Sequence, residues 1–252
     1  MGFPMKISVI CVSWNAAETI GATIASFLAQ DYADKELVIV DGVSTDGTLD
    51  IVRSFNSPLI KLNSGKDKGI YDAMNKGLRL YTGDAVGFLN ADDAFHSPQS
   101  LSMIAAALAQ APVVFGQLDF VDDHANRQLL RQWLPLPYSA GIFKKGWMAP
   151  HPTTYALRAV YDKVGGFDTS YRISADYDWM IRVFEIHKYP SQLIPHILAD
   201  FKIGGMSTSG LKASLVNLKE TSRARRKWLN ARIIDQAMLI KVYNRAKRMA
   251  LG

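Results

Sequence analysis

The stretch "KISVICVSWN", residues 6–15, decides the fold of this chain. It is a continuous apolar run rich in β-branched residues, and polar residues beginning at Ser13 follow it. Such a run predicts a strand that is buried on both faces. A second run of this kind, "KELVIVDG" at 35–42, follows after "AETIGATIASFLAQ" at 17–30, in which the apolar residues recur at helical spacing. The first 42 residues therefore predict a strand, a helix and a second strand.

The same alternation continues along the first half of the chain. Two further strands are predicted in "LIKLNSG" at 59–65 and "DAVGFLNADD" at 84–93, and two helices in "TDGTLDIVRSF" at 45–55 and "GIYDAMNKGLRLYT" at 69–82. Strands and helices that alternate at this spacing predict a parallel, doubly wound sheet. After about residue 110 the alternation weakens, although "PVVFGQLDFVDD" at 112–123 predicts another strand.

Composition is typical of a folded globular protein. The chain has 252 residues, of which 48% are hydrophobic and 21% charged. The single cysteine, Cys11, excludes an internal disulfide framework and lies within the first apolar run. No stretch is long and apolar enough to span a bilayer, and the start "MGFPMK" is unlike a signal peptide. A cytoplasmic location is therefore expected.

The net charge of +6 conceals two parts of opposite sign. Residues 211–252 contain eleven Lys or Arg and two acidic residues, whereas residues 1–210 carry a net charge of −3. Basic residues interleaved with apolar ones in this tail fit a helix lying on anionic lipid. They equally fit a helix packed on the body with its charges in solvent. Nothing in the tail resembles a nucleic-acid-binding fold.

Polar residues follow each predicted strand of the first half. In open parallel sheets, ligands bind at the carboxyl ends of the strands. We therefore expect four clusters to converge on one edge: Ser13 to Asn15, Asp41, Ser64 to Lys68, and Asn90 to Asp93.

The sequence "NADD", residues 90–93, places an amide and two carboxylates after the fourth strand. Oxygen ligands of this kind suit Mg²⁺ or Mn²⁺ that bridges phosphate groups. The alternative is that Asp92 or Asp93 caps a helix that starts near Pro98.

Three segments together resemble a family 2 glycosyltransferase with the GT-A fold, most closely the bacterial enzymes that build surface polysaccharides. They are "SVICVSWNAAETIGATIASFLAQDYADKELVIVDGVSTDGT", "GKDKGIYDAMNKGL" and "FLNADDAF". The resemblance covers roughly residues 5–210. It implies an α/β chain with the GT-A (nucleotide-diphospho-sugar transferase) fold and a mostly parallel sheet flanked by helices. Composition adds a basic helical C-terminal tail to this fold. A single catalytic domain would then span residues 1–210, with a nucleotide-sugar half at 1–110 and an acceptor half at 111–210, and residues 211–252 would be an extension.

The resemblance also assigns roles to the strand-end residues. It implies nucleotide-binding positions at Ser13, Asn15, Asp41, Asp67 and Ala91. Asn90-Ala91-Asp92 matches the DxD metal motif with Asn in place of the first Asp. Asp92 is therefore the expected ligand of Mn²⁺ or Mg²⁺, with Asn90 and Asp93 beside it.

A catalytic base is expected in "RISADYDWMIR", residues 172–182. An acceptor hydroxyl that attacks a sugar must lose a proton, and a carboxylate can take it. By resemblance Asp176 matches the base, Ala175 replaces the preceding acid, and Asp178 is the rival for the role. A single displacement implies inversion at the anomeric carbon. Alternatively, Asp176 caps the following helix.

Three further features are weaker. His151 and Trp179 are candidates for the acceptor side, although a lone histidine and a large tryptophan are more often structural. The segment "GGMSTSG", residues 204–210, matches a loop that closes over the diphosphate, but its glycines also suit an ordinary turn.

The predicted function is an inverting, metal-dependent glycosyltransferase. Its donor would be a nucleotide diphosphate sugar, most commonly a UDP-sugar, and its acceptor a hydroxyl of a glycan or lipid-linked saccharide in bacterial surface polysaccharide synthesis. One alternative is a catalytically silent nucleotide-binding or scaffold member, which the replacements Asn90 and Ala175 keep open. A sugar nucleotidyltransferase is disfavoured because "SWNAAET" lacks glycine and basic residues. A NAD-dependent enzyme is disfavoured because no G-x-G-x-x-G follows the first strand.

Overall fold

A computed structural model describes residues 5–124, 127–203, 210–232 and 237. In these ranges the chain forms one nine-stranded sheet with helices on both faces. The strands are β1 Ile7–Ser13, β2 Lys35–Asp41, β3 Ile60–Ser64, β4 Ala85–Phe88, β5 Asp93–Phe95, β6 Val113–Val121, β7 Leu129–Trp133, β8 Tyr155–Leu157 and β9 Ser191–Lys202. The helices are α1 Ile20–Leu28, α2 Thr48–Ser54, α3 Ile70–Leu80, α4 Ser100–Leu108, α5 Arg158–Val164, α6 Ala175–Ile181 and α7 Gly210–Leu229.

The sheet confirms the predicted parallel half and adds a mixed half. Its strand order is β3-β2-β1-β4-β8-β6-β9-β5, with β7 paired to β6. The four strands β1 to β4 are mutually parallel, as the sequence predicts. Strand β8 is antiparallel to both β4 and β6, and β5 is antiparallel to β9. Residues beyond 110 therefore extend the same sheet.

Strand β1 is the centre of the hydrophobic core. All seven of its residues are buried, and alternate side chains enter two separate apolar layers. Ile10 and Val12 face the layer that contains Met74 of α3, whereas Val9 and Cys11 face the layer under α1 and α4. A strand buried on both faces is mostly apolar, which explains the near-continuous run in its sequence, and its two buried serines, Ser8 and Ser13, donate to Glu36 and Asp41.

The predicted fourth strand is shorter than the sequence suggested. Strand β4 ends at Phe88, and Asp93 begins a separate strand, β5. Helix α4 starts at Ser100, and its N-terminal residue Gln99 has no side-chain cap. The proposal that Asp92 or Asp93 caps this helix is therefore wrong, because a turn and a strand lie between them.

Sequence patterns missed strand β9. It contains Pro195, which removes a donor from the ladder, and its pattern of burial is irregular. The register between β6 and β9 shifts between Gly116 and Gln117, where β9 has two extra residues, Pro195 and His196. The shift lets the strand accommodate Pro195 and still pair with β6 on one side and β5 on the other.

Helix α7 packs on the body of the protein. Thr221, Ser222, Ala224 and Arg225 are buried, and α7 contacts α6. The packed-helix alternative therefore describes residues 210–229, while the remainder of the basic tail, apart from 230–232 and 237, lies outside the described residues. None of the described helices has the length and apolarity needed to cross a bilayer.

Gly87 offers a direct test of this packing. A Cβ at this β4 position would lie 2.3 Å from Cε1 of Tyr155 on β8, whose side chain is fully buried. We expect Gly87→Ala to lower the free energy of unfolding by about 1–3 kcal/mol, because the buried ring must move. Urea unfolding measures the change. Gly65→Ala is the matched control, since a Cβ there would meet nothing within 4 Å. An equal effect of both substitutions would contradict the proposed packing.

Candidate functional site

The ends of β1, β2 and β3 lie side by side. Parallel register aligns Ser13 with Asp41 and Asp41 with Ser64. Oδ2 of the buried Asp41 accepts from Ser64 Oγ at 2.9 Å and from the main-chain N–H of Ser44 at 2.9 Å. Its Oδ1 accepts from the hydroxyls of Ser13 and Ser44. Burial raises the pKa of Asp41, but these hydrogen bonds outweigh burial and lower it. The predicted nucleotide position Asp41 is thus a fixed carboxylate that orders the edge.

Asn15 joins the loops that follow β1 and β2. It has a left-handed backbone conformation with φ 49°, which asparagine tolerates well. Its main-chain N–H donates to Ser44 Oγ at 2.8 Å, and its Oδ1 accepts from the N–H of Thr45 at 2.9 Å. This predicted nucleotide-binding residue therefore shapes the site by holding two loops together.

Asp67, Gly42 and Trp14 meet at the same edge. A Cβ on Gly42 would lie 2.9 Å from Oδ2 of Asp67 and 3.4 Å from Cδ1 of Trp14. The Trp14 side chain is 69% exposed, which is unusual for so large an apolar residue. The predicted position Asp67 is therefore next to an exposed aromatic face. The sequence analysis expected Trp14 at this edge, within Ser13 to Asn15, but assigned it no binding role.

The acid pair, Asp92 and Asp93, lies beside these strand ends together with Asn90. This segment contains buried oxygen atoms without hydrogen-bond partners among the described residues. Within the described ranges, Oδ1 of Asn90 and both carboxylate oxygens of Asp93 are buried and meet no donor at ideal hydrogen-bond geometry, although Asn90 and the main-chain N–H of Lys202 are close enough to lower the pKa of Asp93 slightly. Burial, and secondly the charge of Asp92, raise the pKa of Asp93 well above its ordinary value. Burial also raises the pKa of Asp92. Ala91, between Asn90 and Asp92 in sequence, is buried. Unpartnered oxygens of this kind fit a hard divalent cation, which would supply the missing positive charge.

His124 was not predicted and fixes the turn that carries the acid pair. It follows β6, and its Nε2 donates to the main-chain carbonyl oxygen of Asp92 at 2.7 Å. Asp92 and His124 are 32 residues apart in sequence. No local pattern marks a contact over this distance, so only the β6–β7 hairpin reveals it.

Asp176 lies in the first turn of α6 and faces the N-terminus of α3. Its Oδ1 accepts from Tyr71 Oη at 3.2 Å and from the N–H of Tyr177 at 2.8 Å. Ser174, not Asp176, is the N-cap residue of α6. Burial raises the pKa of Asp176 to about 6, against the hydrogen bonds that lower it, and the negative charge of Glu220 adds to the rise. A carboxylate with this pKa is a stronger base than an ordinary aspartate and is still mostly ionised at neutral pH.

Glu220 of α7 holds the segment before Asp176. Its carboxylate accepts three consecutive main-chain N–H groups, from Arg172 at 2.7 Å, Ile173 at 2.9 Å and Ser174 at 3.0 Å. Three charge-assisted hydrogen bonds restrict this segment strongly. The predicted extension at 211–252 therefore contributes, through α7, to the position of Asp176.

Asp178 and Trp179 are both fully buried. The two carboxylate oxygens of Asp178 accept from Arg182 Nε at 3.0 Å and Trp228 Nε1 at 2.7 Å. Trp179 stacks on Tyr161 with ring centroids 4.5 Å apart. This burial disfavours a base role for Asp178 and an acceptor-side role for Trp179, and both roles stay predictions. A cavity of about 620 Å³ is lined by Asp178 and by residues of the second half of α3, α5 and α7, at the opposite end of α3 from Asp67.

His151 forms part of the wall behind the site. It is buried, and its ring stacks on Phe88, the last residue of β4, with centroids 5.1 Å apart. Burial lowers its pKa to about 4, so the imidazole is neutral at pH 7. Its Nε2 has no hydrogen-bond partner in the described part of the chain. His151 therefore packs between Phe88 and Phe167, and its acceptor-side role stays a prediction.

A second cluster, His96, Asp119 and Asp200, has the composition of a metal site but already contains a cation. Arg127 donates from Nη2 to Asp119 at 2.8 Å and from Nε to Asp200 at 2.7 Å. Its guanidinium group neutralises both carboxylates, so we interpret the cluster as an ion-pair network that joins the β6–β7 hairpin to β9.

Comparisons with known proteins agree with this arrangement. A family model described as "Glycosyl transferase family 2" matches residues 8–165. The PGL/p-HBAD biosynthesis glycosyltransferase of Mycobacterium bovis is 31% identical over 216 residues, which cover 83% of this chain and 81% of that protein. An uncharacterized glycosyltransferase of Nostoc sp. is 35% identical over 191 residues, which cover 68% of this chain and 57% of that protein.

Two solved structures share the fold. S. aureus TarS 1-349 in complex with UDP-GlcNAc superposes with a TM-score of 0.69 at 20% identity, over 88% of this chain and 67% of that one. The mannosyltransferase PcManGT from Pyrobaculum calidifontis, in complex with GDP-Man and Mn²⁺, superposes with a TM-score of 0.68 at 19% identity, over 96% of this chain and 70% of that one. The expected GT-A fold is thereby confirmed.

The raised pKa of Asp176 has a consequence for stability. Its folded-state value of about 6 exceeds the ordinary 3.8, so its contribution to stability is complete below 3.8 and is lost as the pH rises through about 6. We expect Asp176→Asn to raise the free energy of unfolding at pH 8 by about 1–2 kcal/mol, after allowing for partial solvent screening. The gain should shrink as the pH falls from 6 towards 4.

Urea unfolding across this pH range measures the effect. Asp50→Asn, at an exposed position on α2, is the control and should show no such gain. A loss of stability at pH 8 in Asp176→Asn would instead mean that the carboxylate mainly stabilises the start of α6.

Proposed function

Because the chain belongs to glycosyl transferase family 2, we propose that it transfers a sugar from a nucleotide diphosphate sugar to an acceptor hydroxyl with inversion at the anomeric carbon. The observation that carries the proposal is the position of Asp176. Through Tyr71 at the start of α3, this carboxylate of raised pKa lies at the same edge as the strand ends and the acid pair. A base and a set of unpartnered oxygens at one edge suit transfer between a diphosphate sugar and a hydroxyl.

Asp176 is the proposed base. Both hydrogen bonds that the described residues give its carboxylate go to Oδ1, which leaves Oδ2 for an acceptor hydroxyl. The proton of that hydroxyl would move to Oδ2 as the oxygen attacks the anomeric carbon and the bond to the diphosphate breaks. Glu220 keeps the segment before Asp176 in place and raises the pKa of Asp176 further.

The donor pocket is proposed at the ends of β1 to β4. We assign the nucleoside to the surface formed by Trp14 and Asp67, with Asp41 holding the hydroxyls of Ser13, Ser44 and Ser64 beside it. Asn90, Asp92 and Asp93 would hold Mn²⁺ or Mg²⁺. When bound, such a cation neutralises charge on the diphosphate leaving group. A UDP-sugar is the proposed donor, since the TarS neighbour binds UDP-GlcNAc.

The proposed acceptor is a glycan or lipid-linked saccharide in bacterial surface polysaccharide synthesis. Support comes from the mycobacterial relative, whose name assigns it to PGL/p-HBAD biosynthesis. We place the enzyme at the cytoplasmic face of the membrane, with the basic tail near anionic lipid. Family membership favours a transferase over a sugar nucleotidyltransferase, and the following two experiments separate an active enzyme from a silent one.

The first experiment tests metal and nucleotide binding together. A ligand at 100 times its Kd stabilises the folded state by about 2.7 kcal/mol. We expect UDP with Mn²⁺ to raise the melting temperature clearly, and Asp92→Ala to remove the part of the shift that depends on metal. Equal shifts with and without metal would contradict the assignment of Asn90, Asp92 and Asp93. No shift with UDP, GDP, dTDP or CDP would contradict a nucleotide-sugar donor.

The second experiment compares Asp176→Asn with Glu220→Ala. We expect Asp176→Asn to slow transfer at least about 10²-fold while the nucleotide-induced shift in melting temperature remains. Glu220→Ala should lower kcat about tenfold or more with little change in the KM for donor, because it loosens only the segment before the base.

Glu220→Gln distinguishes positioning from mere folding. It removes a negative charge near Asp176, whose hydrogen-bonded neighbours are Tyr71 from α3 and the N–H of Tyr177 from α6. The acidic limb of the pH profile of kcat should therefore shift to lower pH. Lys219→Ala, at the exposed neighbouring residue, should leave the profile unchanged. An unshifted limb in Glu220→Gln would contradict the electrostatic role.

A further inference from the structure

The β6–β7 hairpin and the loop after it expose a group of leucines. The exposed fractions of these side chains are 47% for Leu129, 48% for Leu130, 56% for Leu134 and 67% for Leu136. Single exposed apolar residues are common on protein surfaces, but four within eight consecutive positions form a patch. Nothing in the proposed transfer reaction requires these side chains to be apolar.

The hairpin exposes two consecutive leucines beside an open strand edge. Strand β7 pairs with β6 alone among the described strands, so its other edge is open. A register shift in this pairing leaves Leu130 without a partner on β6, so Leu129 and Leu130 lie at a bulge. Arg131 and Gln132 of the same strand are also exposed. Leucines beside polar and basic side chains suit the boundary between lipid headgroups and acyl chains.

Basic residues accompany the leucines. The sequence from 124 to 161 contains five Lys or Arg and no Asp or Glu. Lys144 and Lys145 are both exposed, in the short helix at 142–145. Leu136 and Lys145 line one cavity of about 400 Å³ together with Trp147, whose Nε1 donates to the carbonyl oxygen of Leu136 at 3.0 Å. Leu136 and Lys145 thus share one surface, and the remaining leucines are within seven residues of Leu136 along the chain.

Acidic side chains that contact this part of the chain already have donors, and Asp119 accepts from Arg127 and from Gln132 of β7. Oδ1 of Asp122 accepts from the N–H of Gln128 at 2.9 Å, and Glu185 accepts from the N–H of Gly141 at 2.9 Å. Their charge is partly neutralised by these donors. The surface therefore presents leucine and lysine, a composition that favours anionic lipid over a neutral or basic partner.

We propose that this surface, formed by Leu129, Leu130, Leu134, Leu136, Lys144 and Lys145 and called here the leucine face, binds an anionic lipid bilayer. The leucine side chains enter the boundary between headgroups and acyl chains, and the two lysines contact lipid phosphates. The open edge of β7 stays at headgroup depth, where water satisfies its main-chain groups.

This contact would position the candidate site next to the membrane. The turn of the same hairpin carries His124, which is hydrogen-bonded to the main chain of Asp92. A Cβ on Gly146 would lie 3.1 Å from Cβ of Ala237, so Ala237 lies beside this surface. The idea that this contact brings a lipid-linked acceptor to the site rests on the proposed function. The binding of the leucine face to lipid does not depend on that function.

The test is co-sedimentation of the full chain with vesicles in the absence of sugar donor. We expect binding to phosphatidylcholine vesicles that contain phosphatidylglycerol, and weak binding to phosphatidylcholine alone. Leu134→Ser and Leu136→Ser should each weaken binding about fivefold. Lys144→Gln and Lys145→Gln should each do so about fivefold at low salt. Unchanged nucleotide-induced shifts in melting temperature will show that the variants are folded.

Matched controls separate this surface from others. Leu80→Ser, at an exposed leucine on α3, and Lys163→Gln, at an exposed lysine on α5, should bind vesicles as the unchanged protein does. Leu215→Ser, at an exposed leucine on α7, tests whether that helix carries the contact instead. A deletion after residue 232 keeps Glu220 and tests the remainder of the tail.

Three results would overturn the proposal. The first is that the unchanged protein does not bind anionic vesicles. The second is that Leu134→Ser and Leu136→Ser bind as well as Leu80→Ser. The third is that the chain is a dimer in solution that these two substitutions convert to a monomer, since the leucine face would then join two copies. None of these three results would change the interpretation of the nucleotide-binding and sugar-transfer experiments, which test the proposed function separately.

Discussion

The parallel hydrogen bonding of β1 to β2 on one side and β4 on the other is the constraint on which the rest of the structure depends. Once these strands are aligned, their carboxyl ends must lie together, whatever residues follow them. Ser13, Asp41 and Asn90 are brought to one edge in this way. The apolar residues of β1 thereby determine where the polar chemistry of the protein is located, because they bury the strand on both faces and leave only its end accessible.

The second half of the chain completes this edge through contacts between distant segments. The β6–β7 hairpin holds the main chain of Asp92 through His124, and α7 holds the segment before Asp176 through Glu220. A helix that sequence composition separates from the catalytic domain is thus part of its support. The basic charge of the tail and the role of α7 are independent properties, since the residue that contacts the site is one of the two acidic residues in that region.

The site departs from the rules that the core obeys. Most buried polar groups in proteins have hydrogen-bond partners, yet Asn90 and Asp93 have oxygen atoms without them in the described structure. Asp176 keeps a carboxylate where burial raises its pKa. Each of these features lowers the stability of the folded state. Proteins keep such destabilising features mainly at sites where function requires them. By contrast Asp41, Asp178 and Asp200 have their oxygens satisfied, and they act as supports.

The parallel half of the sheet and the convergence of its strand ends followed from the sequence alone, because apolar runs and helical spacing specify elements and parallel strands align their ends. Asp176 was singled out by the resemblance to a family segment and not by these local patterns. Only the tertiary structure decided that Asp178 and Trp179 are buried, that β9 is a strand despite Pro195, and that Glu220 and His124 support the site. The main-chain N–H groups that donate hydrogen bonds to Glu220 are 46 to 48 residues away from it in sequence. Local patterns record whether a side chain prefers water or the core, whereas the partner of a buried polar group is chosen only when distant elements pack together.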